Sequence, residues 1–223
     1  MSAAPRALLL VWTDIAAELE AEFNDWYNRE HVRERVAVAG FIRGRRYAAL
    51  EGSPKYLALY EARDAAVLRS DAYLAIKRKR DTHSLRFVNA FRNTIKATCD
   101  VHAHAGAGEG AFLVLLPVVS QTVPAQAALQ SLCDALVQEP GIVAASFAAA
   151  NADARASSAP FDARAGDRHL QSVIMVEAAG GAGAQRAHDR LNAQTLRGPG
   201  MTPALFDKPF IFRSLYTLHH SQE

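Results

Sequence analysis

The chain has 223 residues, a formal net charge of +2 and two cysteines. So small a net charge gives no electrostatic reason to expect nucleic acid or a membrane surface as a partner. Two cysteines cannot form a disulfide framework, so we expect Cys99 and Cys133 to be buried thiols in a reducing compartment. The apolar run at 7–12 is too short for a membrane span or a secretory leader, which makes the cytoplasm the expected location.

The first half of the chain predicts the order strand, helix, strand, strand, helix, strand. A leucine-rich run at 7–13 ends at Asp14, which is typical of a buried strand. Apolar side chains then recur at steps of three and four residues from Ile15 to Trp26, which predicts one apolar stripe on a helix that runs to about residue 36. The other predicted strands are 41–50, 56–61 and 94–102, and the other predicted helices are 64–80 and 84–91.

After a glycine-rich linker at 105–110, the same order of elements repeats about a hundred residues further on. Gly40 and Gly141 each separate the first helix of a half from its second strand. This repetition favours a tandem duplication. The predicted elements of the second half are strands at 112–119, 142–149, 170–177 and 210–218, helices at 124–137 and 185–196, and a long loop at about 151–167.

Each half therefore predicts a ferredoxin-like βαββαβ unit, with residues 1–104 and 111–223 as the two domains. Such a unit carries its helices on one face of a four-stranded sheet and leaves the other face apolar. Two units can bury those faces together, so we expect an α+β fold in which two antiparallel sheets form one pseudo-dimeric α/β barrel. The protein could be a monomeric barrel or a homodimer of barrels.

One segment of the first half carries a recognisable motif. It comprises Phe-Asn-Asp-Trp-Tyr-Asn-Arg-Glu-His at 23–31, Gly-Phe at 40–41 and Arg-Arg-Tyr at 45–47. This segment resembles the EthD-like branch of the dimeric α/β-barrel superfamily, whose members carry a Trp and a His near the end of the first helix, followed by Pro-Gly and a strand. Ala39 stands here in place of that proline. The second half matches by layout only, because its first helix has no Glu-His, no aromatic pair and no arginine.

The resemblance implies a fold without selecting a reaction. The superfamily includes cofactor-free monooxygenases, muconolactone isomerases, polyketide cyclases, haem-degrading enzymes and proteins with no established activity. A purely structural motif would be needed in both halves to build the same half-barrel. Because only the first half carries it, the asymmetry favours a functional role for the motif.

His31 is the first candidate catalytic residue. On a helix, Tyr27 lies one turn before it on the same face, with Trp26 and Glu30 on an adjacent face. An imidazole beside a phenol and a carboxylate can move a proton near neutral pH, because its unperturbed pKa is about 6.5. The isomerases of the superfamily that this sequence resembles use a histidine at the matching place for proton transfer. Alternatively, His31 caps the last turn of the helix or hydrogen-bonds a buried carbonyl.

The strand at 41–50 supplies candidate substrate-binding residues. Arg45 and Tyr47 share one face of it, and Arg46 lies on the other. Arginine binds carboxylates in bidentate fashion, so a pocket beside this strand predicts a planar, anionic substrate. We predict that Arg45, Arg46 and Tyr60 contact the substrate and that Tyr47 assists catalysis. The alternative is that the arginines face solvent and pair with nearby glutamates.

Three further predictions concern the first strand and the histidines. Trp12 and Asp14 end that strand close to the predicted cleft, where an indole can stack on a substrate ring, and Trp26 is predicted to contact the substrate as well. The alternatives are that Trp12 belongs to the core and Asp14 caps the helix. His102 and His104 have a spacing that can bind a metal, but no third ligand lies nearby in sequence, so we predict no metal site.

Three functions remain open on the sequence alone. The first is a cofactor-independent enzyme in which His31, assisted by Tyr27 or Tyr47, acts as a general acid or base on a small aromatic or lactone-like organic acid. Isomerases, cyclases, decarboxylases and monooxygenases of this kind all begin with such a proton transfer. The second is a haem-binding or haem-processing barrel with His31 as axial ligand. The third is a non-catalytic ligand-binding or stress-related barrel, and we predict the first.

Overall fold

The computed structural model describes residues 7–122, 124–162 and 166–221. The strands are β1 (Ala7–Asp14), β2 (Phe41–Ala49), β3 (Tyr56–Ala62), β4 (Arg92–Gly106), β5 (Phe112–Ser120), β6 (Ile142–Ala150), β7 (Arg168–His169), β8 (Ser172–Ala178), β9 (Met201–Pro203) and β10 (Phe210–His219). The longer helices are α1 (Glu20–Trp26), α2 (Val32–Val36), α3 (Asp71–Arg78), α4 (Thr82–Ala90), α5 (Gln126–Leu136), α6 (Ala152–Asp162), α7 (Gly181–Arg190) and α8 (Ala193–Arg197).

Eight of these strands form a closed antiparallel barrel. The order around it is β4-β1-β3-β2-β10-β5-β8-β6, and β6 pairs with β4 to close the ring. The two halves of the chain thus contribute the same neighbour order, and they join where β2 pairs with β10 and where β4 pairs with β6. The predicted α+β fold with a pseudo-dimeric α/β barrel is confirmed, whereas the tandem duplication and its domain limits stay predictions.

Alternation along the strands divides the apolar side chains between the barrel interior and two outer layers. Leu8, Leu10 and Trp12 of β1 point into the interior, while Leu9 points outward beneath the helices of the first half. The helices of the second half cover a separate outer layer around Leu129. Interior and exterior are therefore distinct environments, separated by one thickness of sheet.

A continuous helix between β1 and β2 carries the motif, and we name it the motif helix. It consists of a 3₁₀ turn (Ala17–Leu19), α1, a π-helical turn (Tyr27–His31) and α2. Phe23, Trp26 and Tyr27 are buried against the outer face of the sheet. A π-helical turn shifts the following residues around the helix axis, and such turns are frequent at functional sites.

Helix α6 is the largest departure from the predicted elements, because the sequence indicated a loop there. The side chain of Asn151 caps it by accepting a hydrogen bond from the Ala154 N–H at 2.8 Å. Ala154 and Phe161 then pack into the outer apolar layer of the first half. Pro160 and the run of Ala and Ser give this segment a weak helical pattern, so the contacts that hold it come from a distant part of the chain.

Smaller differences concern helix lengths. The predicted helix at 64–80 is a 3₁₀ turn (Val67–Arg69) followed by α3, because Ser70 caps a new helix by accepting from the Tyr73 N–H. The predicted helix at 185–196 is broken into α7 and α8 at Asn192, whose side chain caps α8. None of the helices in the described ranges combines the length and the apolar character needed to cross a bilayer.

Candidate functional site

The candidate site lies between the motif helix and the outer face of the first-half sheet. His31 is 5% exposed there. Its ring centre lies 4.1 Å from that of Trp26 and 4.7 Å from that of Tyr27. Trp26 is itself held by stacking on Phe87 and by donating a hydrogen bond to Ser84 Oγ at 3.3 Å. The π-helical turn therefore places the imidazole in an aromatic wall.

A void of about 40 Å³ opens beside His31. The motif helix contributes Tyr27 and Arg35 to its lining, and α3 contributes Tyr73 and Lys77. One water needs roughly 10–15 Å³ of such space, so the void has room for a few water molecules or for one small group of a larger ligand.

The lining of this void is basic. It includes Arg35, Lys77, Arg80 and Lys96, and no described lining residue is Asp or Glu. Lys96 is paired with Asp167 at 2.6 Å, and Arg35 Nη1 lies 3.8 Å from Glu34 Oε2. Arg35 is 4% exposed, and its Nη1 donates to the main-chain oxygen of His31 at 2.9 Å. Buried positive charge in a medium of low dielectric favours an anionic guest.

The same surroundings set the protonation of His31. Burial lowers its pKa well below the ordinary value, and the positive charges of Arg35, Arg80 and Arg46 lower it further. The imidazole is therefore neutral near pH 7 and can accept a proton. Its Nδ1 is buried without a hydrogen-bond partner in the described chain, so the alternative of a bond from this nitrogen to a buried carbonyl is not observed.

Two phenols lie on the same side of the sheet as His31. Burial raises the pKa of Tyr27 and that of Tyr60, so both keep their protons near neutral pH. The Arg35 guanidinium lies 5.8 Å from the Tyr60 ring centre. Neutral phenols in this position can donate hydrogen bonds to an anion.

Arg46 lies on this side of the sheet but does not line the void. Its guanidinium donates to Asn28 Oδ1 and Asn24 Oδ1, each at 2.8 Å, and lies 4.4 Å from the Tyr27 ring centre. It thus joins β2 to the motif helix and supports Tyr27. Because Arg46 does not border the void, a substrate held there would not touch it, unlike the predicted contact.

A second cavity, of about 190 Å³, adjoins the first and shares Leu9 and Lys96 with it. Strand β4 forms one wall with Thr98, and α6 forms another with Arg155 and Ser158. Sequence reasoning missed these residues because it did not recognise α6 as a helix. The one available signal was Asn151 three residues before Ala154, which is the spacing of a helix cap.

Arg45 and Tyr47 face the barrel interior, on the opposite side of the sheet from His31. Arg45 is 1% exposed and forms a bidentate ion pair with Glu177, with Nη2 3.0 Å from Oε2. The Tyr47 ring centre lies 5.0 Å from the Arg45 guanidinium. The predicted pocket that joins these two side chains to His31 is therefore not what the structure shows, since the sheet separates them.

Trp12 and Asp14 are also distant from the void beside His31. Trp12 is buried in the barrel interior, where its ring centre lies 4.6 Å from that of Phe210. Asp14 accepts a hydrogen bond from the Lys55 N–H at 2.6 Å, and so it holds the turn before β3. The alternative of a helix cap does not hold either, because Ala16 is the capping position and no side chain bonds there.

The histidines at 102 and 104 lie on β4. His104 Nδ1 is hydrogen-bonded to Ser146 Oγ at 2.9 Å. Within the described ranges no group of three or more His, Cys, Asp or Glu side chains could hold a metal ion.

The closed barrel with helices outside is the fold of the dimeric α/β-barrel proteins. Neither a protein-family model nor a curated protein sequence matches the chain. Among solved structures, an anthrone oxidase-like protein is similar with a TM-score of 0.62 and 11% identity, over 99% of this chain and 95% of that one.

Two further solved structures share the fold. A protein from Fusobacterium nucleatum described as a candidate monooxygenase has a TM-score of 0.58 and 10% identity, over 98% of this chain and 96% of that one. A haem-binding protein from Thermus thermophilus has a TM-score of 0.54 and 10% identity, over 95% and 92%. At such identities the likeness concerns the fold alone.

Proposed function

We propose that the protein is a cofactor-independent enzyme that transfers a proton on a small organic anion, with His31 as the general base. One observation carries the proposal. His31 is buried and neutral, its Nδ1 has no partner in the described chain, and it borders a void whose charged lining residues are basic. A purely structural histidine would gain from a hydrogen bond at this nitrogen.

The chemistry follows from the charges around the ring. A nitrogen of His31 would take a proton from an acidic C–H or O–H of the ligand, which leaves an imidazolium and a carbanion, enolate or phenolate. Arg35 and Lys77 lie beside the void and would stabilise that anion. Before binding, these groups disfavour the imidazolium. A bound anion would offset their charge and raise the basicity of His31 when substrate is present.

Tyr27 is the second residue of the proposed mechanism. Its ring lies against His31, and its raised pKa keeps the phenol protonated. It can hydrogen-bond the developing negative charge, and the proton held on His31 can return to another atom of the ligand. Isomerisation, cyclisation, decarboxylation and reaction of the carbanion with dioxygen all begin with this abstraction. Two neighbours of the same fold are described as an anthrone oxidase-like protein and a candidate monooxygenase, which is compatible with this class.

Haem binding is the alternative that one neighbour of the same fold suggests. The donor set has a suitable imidazole and basic groups for propionates, but the space does not fit a macrocycle. The two cavities, of about 40 and 190 Å³, lie below the roughly 300 Å³ at which sites for drug-sized ligands begin. We therefore derive no role for haem.

A non-catalytic barrel is the remaining alternative. Such a barrel should engage its motif residues with protein partners. Arg45 meets that description through Glu177. A buried atom without a partner is not peculiar to this site, because Arg45 Nε also lacks a hydrogen-bond partner among the described residues. His31 differs in that its unpartnered Nδ1 belongs to a residue that lines a void. The difference favours a ligand beside His31.

Deuterium exchange tests the proposal without knowledge of the product. The protein is incubated in D₂O with a panel of single-ring aromatic and lactone carboxylic acids, each with an acidic C–H, and loss of that proton signal is followed by NMR. We expect exchange with at least one acid, and a rate at least a hundredfold lower in His31→Gln, since general-base catalysis typically contributes 10²–10⁴-fold.

His83→Gln is the matched control. His83 is half-exposed on α4, near Glu30 at 3.4 Å, and does not line the void. This variant should exchange at the wild-type rate. Equal rates in wild type and His31→Gln would remove His31 from the mechanism. A Soret band on haem titration that disappears in His31→Gln would favour the haem-binding alternative instead.

A further inference from the structure

We propose that α6 supplies the carboxylate-binding part of this site, that Arg155 is its anchor, and that the ligand is a single-ring aromatic carboxylate. The inference rests on the proposed function, because it names the substrate class and places the substrate of His31. It assigns a role to a helix that belongs to the other half of the chain.

Helix α6 is fixed over the first half from both ends. At its start, Asn151 Nδ2 donates to Asp100 Oδ2 at 2.7 Å. At its end, Arg80 Nη1 donates to the main-chain oxygen of Phe161 at 3.2 Å. Ala154 is fully buried in the outer apolar layer between these points. These contacts fix the position of α6 over β4, and we call α6 the roof of the cavity between them.

The cavity under this roof has the size of one aromatic ring with a small substituent. Its volume is about 190 Å³, and an apolar cavity of about 150 Å³ is known to hold benzene. Leu9 and Ala159 supply apolar walls, and Ala97, Ala150 and Leu170 also line the cavity. Such walls suit a ring, and the remaining space suits a carboxylate but leaves little room for a second ring.

The polar groups of the cavity point to an anion. Arg155 lines it, and no hydrogen bond or ion pair engages its guanidinium within the described residues. None of the described lining residues is Asp or Glu, although Asp167 does pair with Lys96 at 2.6 Å. Thr98 and Ser158, which each carry a hydroxyl, also line the cavity. A guanidinium with neighbouring hydroxyls can donate hydrogen bonds to a carboxylate.

Leu9 and Lys96 border both cavities, which places the two spaces on adjacent parts of the same sheet face. A ring held by its carboxylate at Arg155 would therefore present its opposite edge toward the void beside His31. The larger cavity would hold the ring and its carboxylate, and the void beside His31 would hold the part of the substrate that loses a proton. This arrangement also gives the second half a function, since it lacks the motif but carries the roof of the site.

Calorimetric titration with benzoate and with benzamide tests the inference, because the two probes share a shape and differ in charge. We expect the wild type to bind benzoate more tightly than benzamide. Arg155→Ala should weaken benzoate binding at least tenfold and leave benzamide binding unchanged, and Arg155→Lys should fall between. Arg197→Ala, on α8 and outside both cavities, is the matched control and should bind both probes as the wild type does.

A second variant tests the size of the cavity. Ala159→Phe adds a ring to the cavity wall on an exposed helix position without removing charge, so it should weaken both probes. Circular dichroism and a thermal melt establish that each variant is folded. Benzoate binding that is unchanged in Arg155→Ala, or a wild type that does not prefer benzoate to benzamide, would overturn the inference.

These outcomes separate the inference from the proposed function. If Arg155→Ala binds benzoate normally while deuterium exchange still depends on His31, the anchor is wrong and the proton transfer stands. If Arg155→Ala loses benzoate while none of the acids exchanges, the anion-binding subsite stands and the proposed reaction is wrong.

Discussion

His31 is the one buried histidine among the described residues, and burial sets its charge state. The motif placed an imidazole beside Tyr27, as the four-residue spacing predicted, and the ring contact at 4.7 Å agrees with it. What the spacing could not show is the lowered pKa, because that depends on Arg35, Arg80 and Arg46 and on how deeply the helix is buried. A neutral, low-pKa imidazole predicts a measurable dependence of stability on pH.

The stability of the folded protein should decrease as the pH is lowered below about 6.5. In the unfolded chain a histidine has a pKa of about 6.5, whereas the pKa of His31 in the folded protein is much lower. The contribution of His31 to stability is therefore complete above about pH 6.5 and falls as the pH is lowered, because the unfolded state takes up the proton first. The loss is at most about 1.4 kcal/mol per pH unit for one proton, and it ends at the pKa of the folded state.

Urea unfolding between about pH 7.5 and about pH 5.5 measures it. His31→Gln should remove this part of the pH dependence. Identical slopes in wild type and His31→Gln would contradict a buried, neutral imidazole.

At the scale of elements, the close approach of the motif helix to β2 decides how tightly the site is closed. Gly44 makes this approach possible, because a Cβ at that position would lie 2.7 Å from Val32 Cγ1 and 2.9 Å from Val36 Cγ2. Both valines belong to α2, the segment directly after His31. The glycine thus fixes the distance between the end of the helix and the sheet.

A methyl group at position 44 should disturb this packing. Gly44→Ala should push the helix away from the sheet and destabilise the protein by about 1–3 kcal/mol, the usual cost of overpacking. Gly198→Ala is the control, because its φ is −55° and no atom lies within 4 Å of the added Cβ. Thermal melts and urea unfolding of both variants measure the difference, and equal stability would show that the helix tolerates displacement.

Elements with a strong local pattern were predictable from the sequence, and those held by distant contacts were not. The barrel strands were predicted to within a few residues, because their apolar runs are bounded by Gly, Pro and Asp. Helix α6 was missed because its apolar face consists of Ala154 and Phe161, which pack against the outer apolar layer of the first half. The short strands β7 and β9 pair at sheet edges and have too few residues for a pattern.

The two faces of β2 show the same limit within one strand. Alternation placed Arg45 and Tyr47 together and Arg46 opposite, and the structure agrees. Alternation alone does not say which face meets the motif helix. Strict alternation would also place Phe41 on the face of Arg45. An irregularity in the pairing between Phe41 and Arg43 moves Phe41 to the outer layer instead.

At the scale of the whole molecule, buried charges join the two halves inside the barrel. Arg45 of β2 pairs with Glu177 of β8, and Arg43 pairs with Glu61 at 2.8 Å and with Glu109 from the segment between β4 and β5. These contacts span both halves and the connection between them. Removing one partner from a buried pair is costly, because the other is left charged in a medium of low dielectric.

Arg45→Met should therefore destabilise the protein by about 3–5 kcal/mol, because Glu177 loses its bidentate partner. Arg29→Met is the control, because its pair with Asp25 has side chains that are 77% and 61% exposed, and such pairs contribute less than about 1 kcal/mol. Adding Glu177→Gln to Arg45→Met should restore part of the loss, since it removes the stranded charge, and the coupling in a double-mutant cycle should exceed about 1 kcal/mol. If the losses of unfolding free energy in Arg45→Met and Glu177→Gln simply add in the double variant, the ion pair contributes nothing. The halves would then be held by apolar packing and strand pairing.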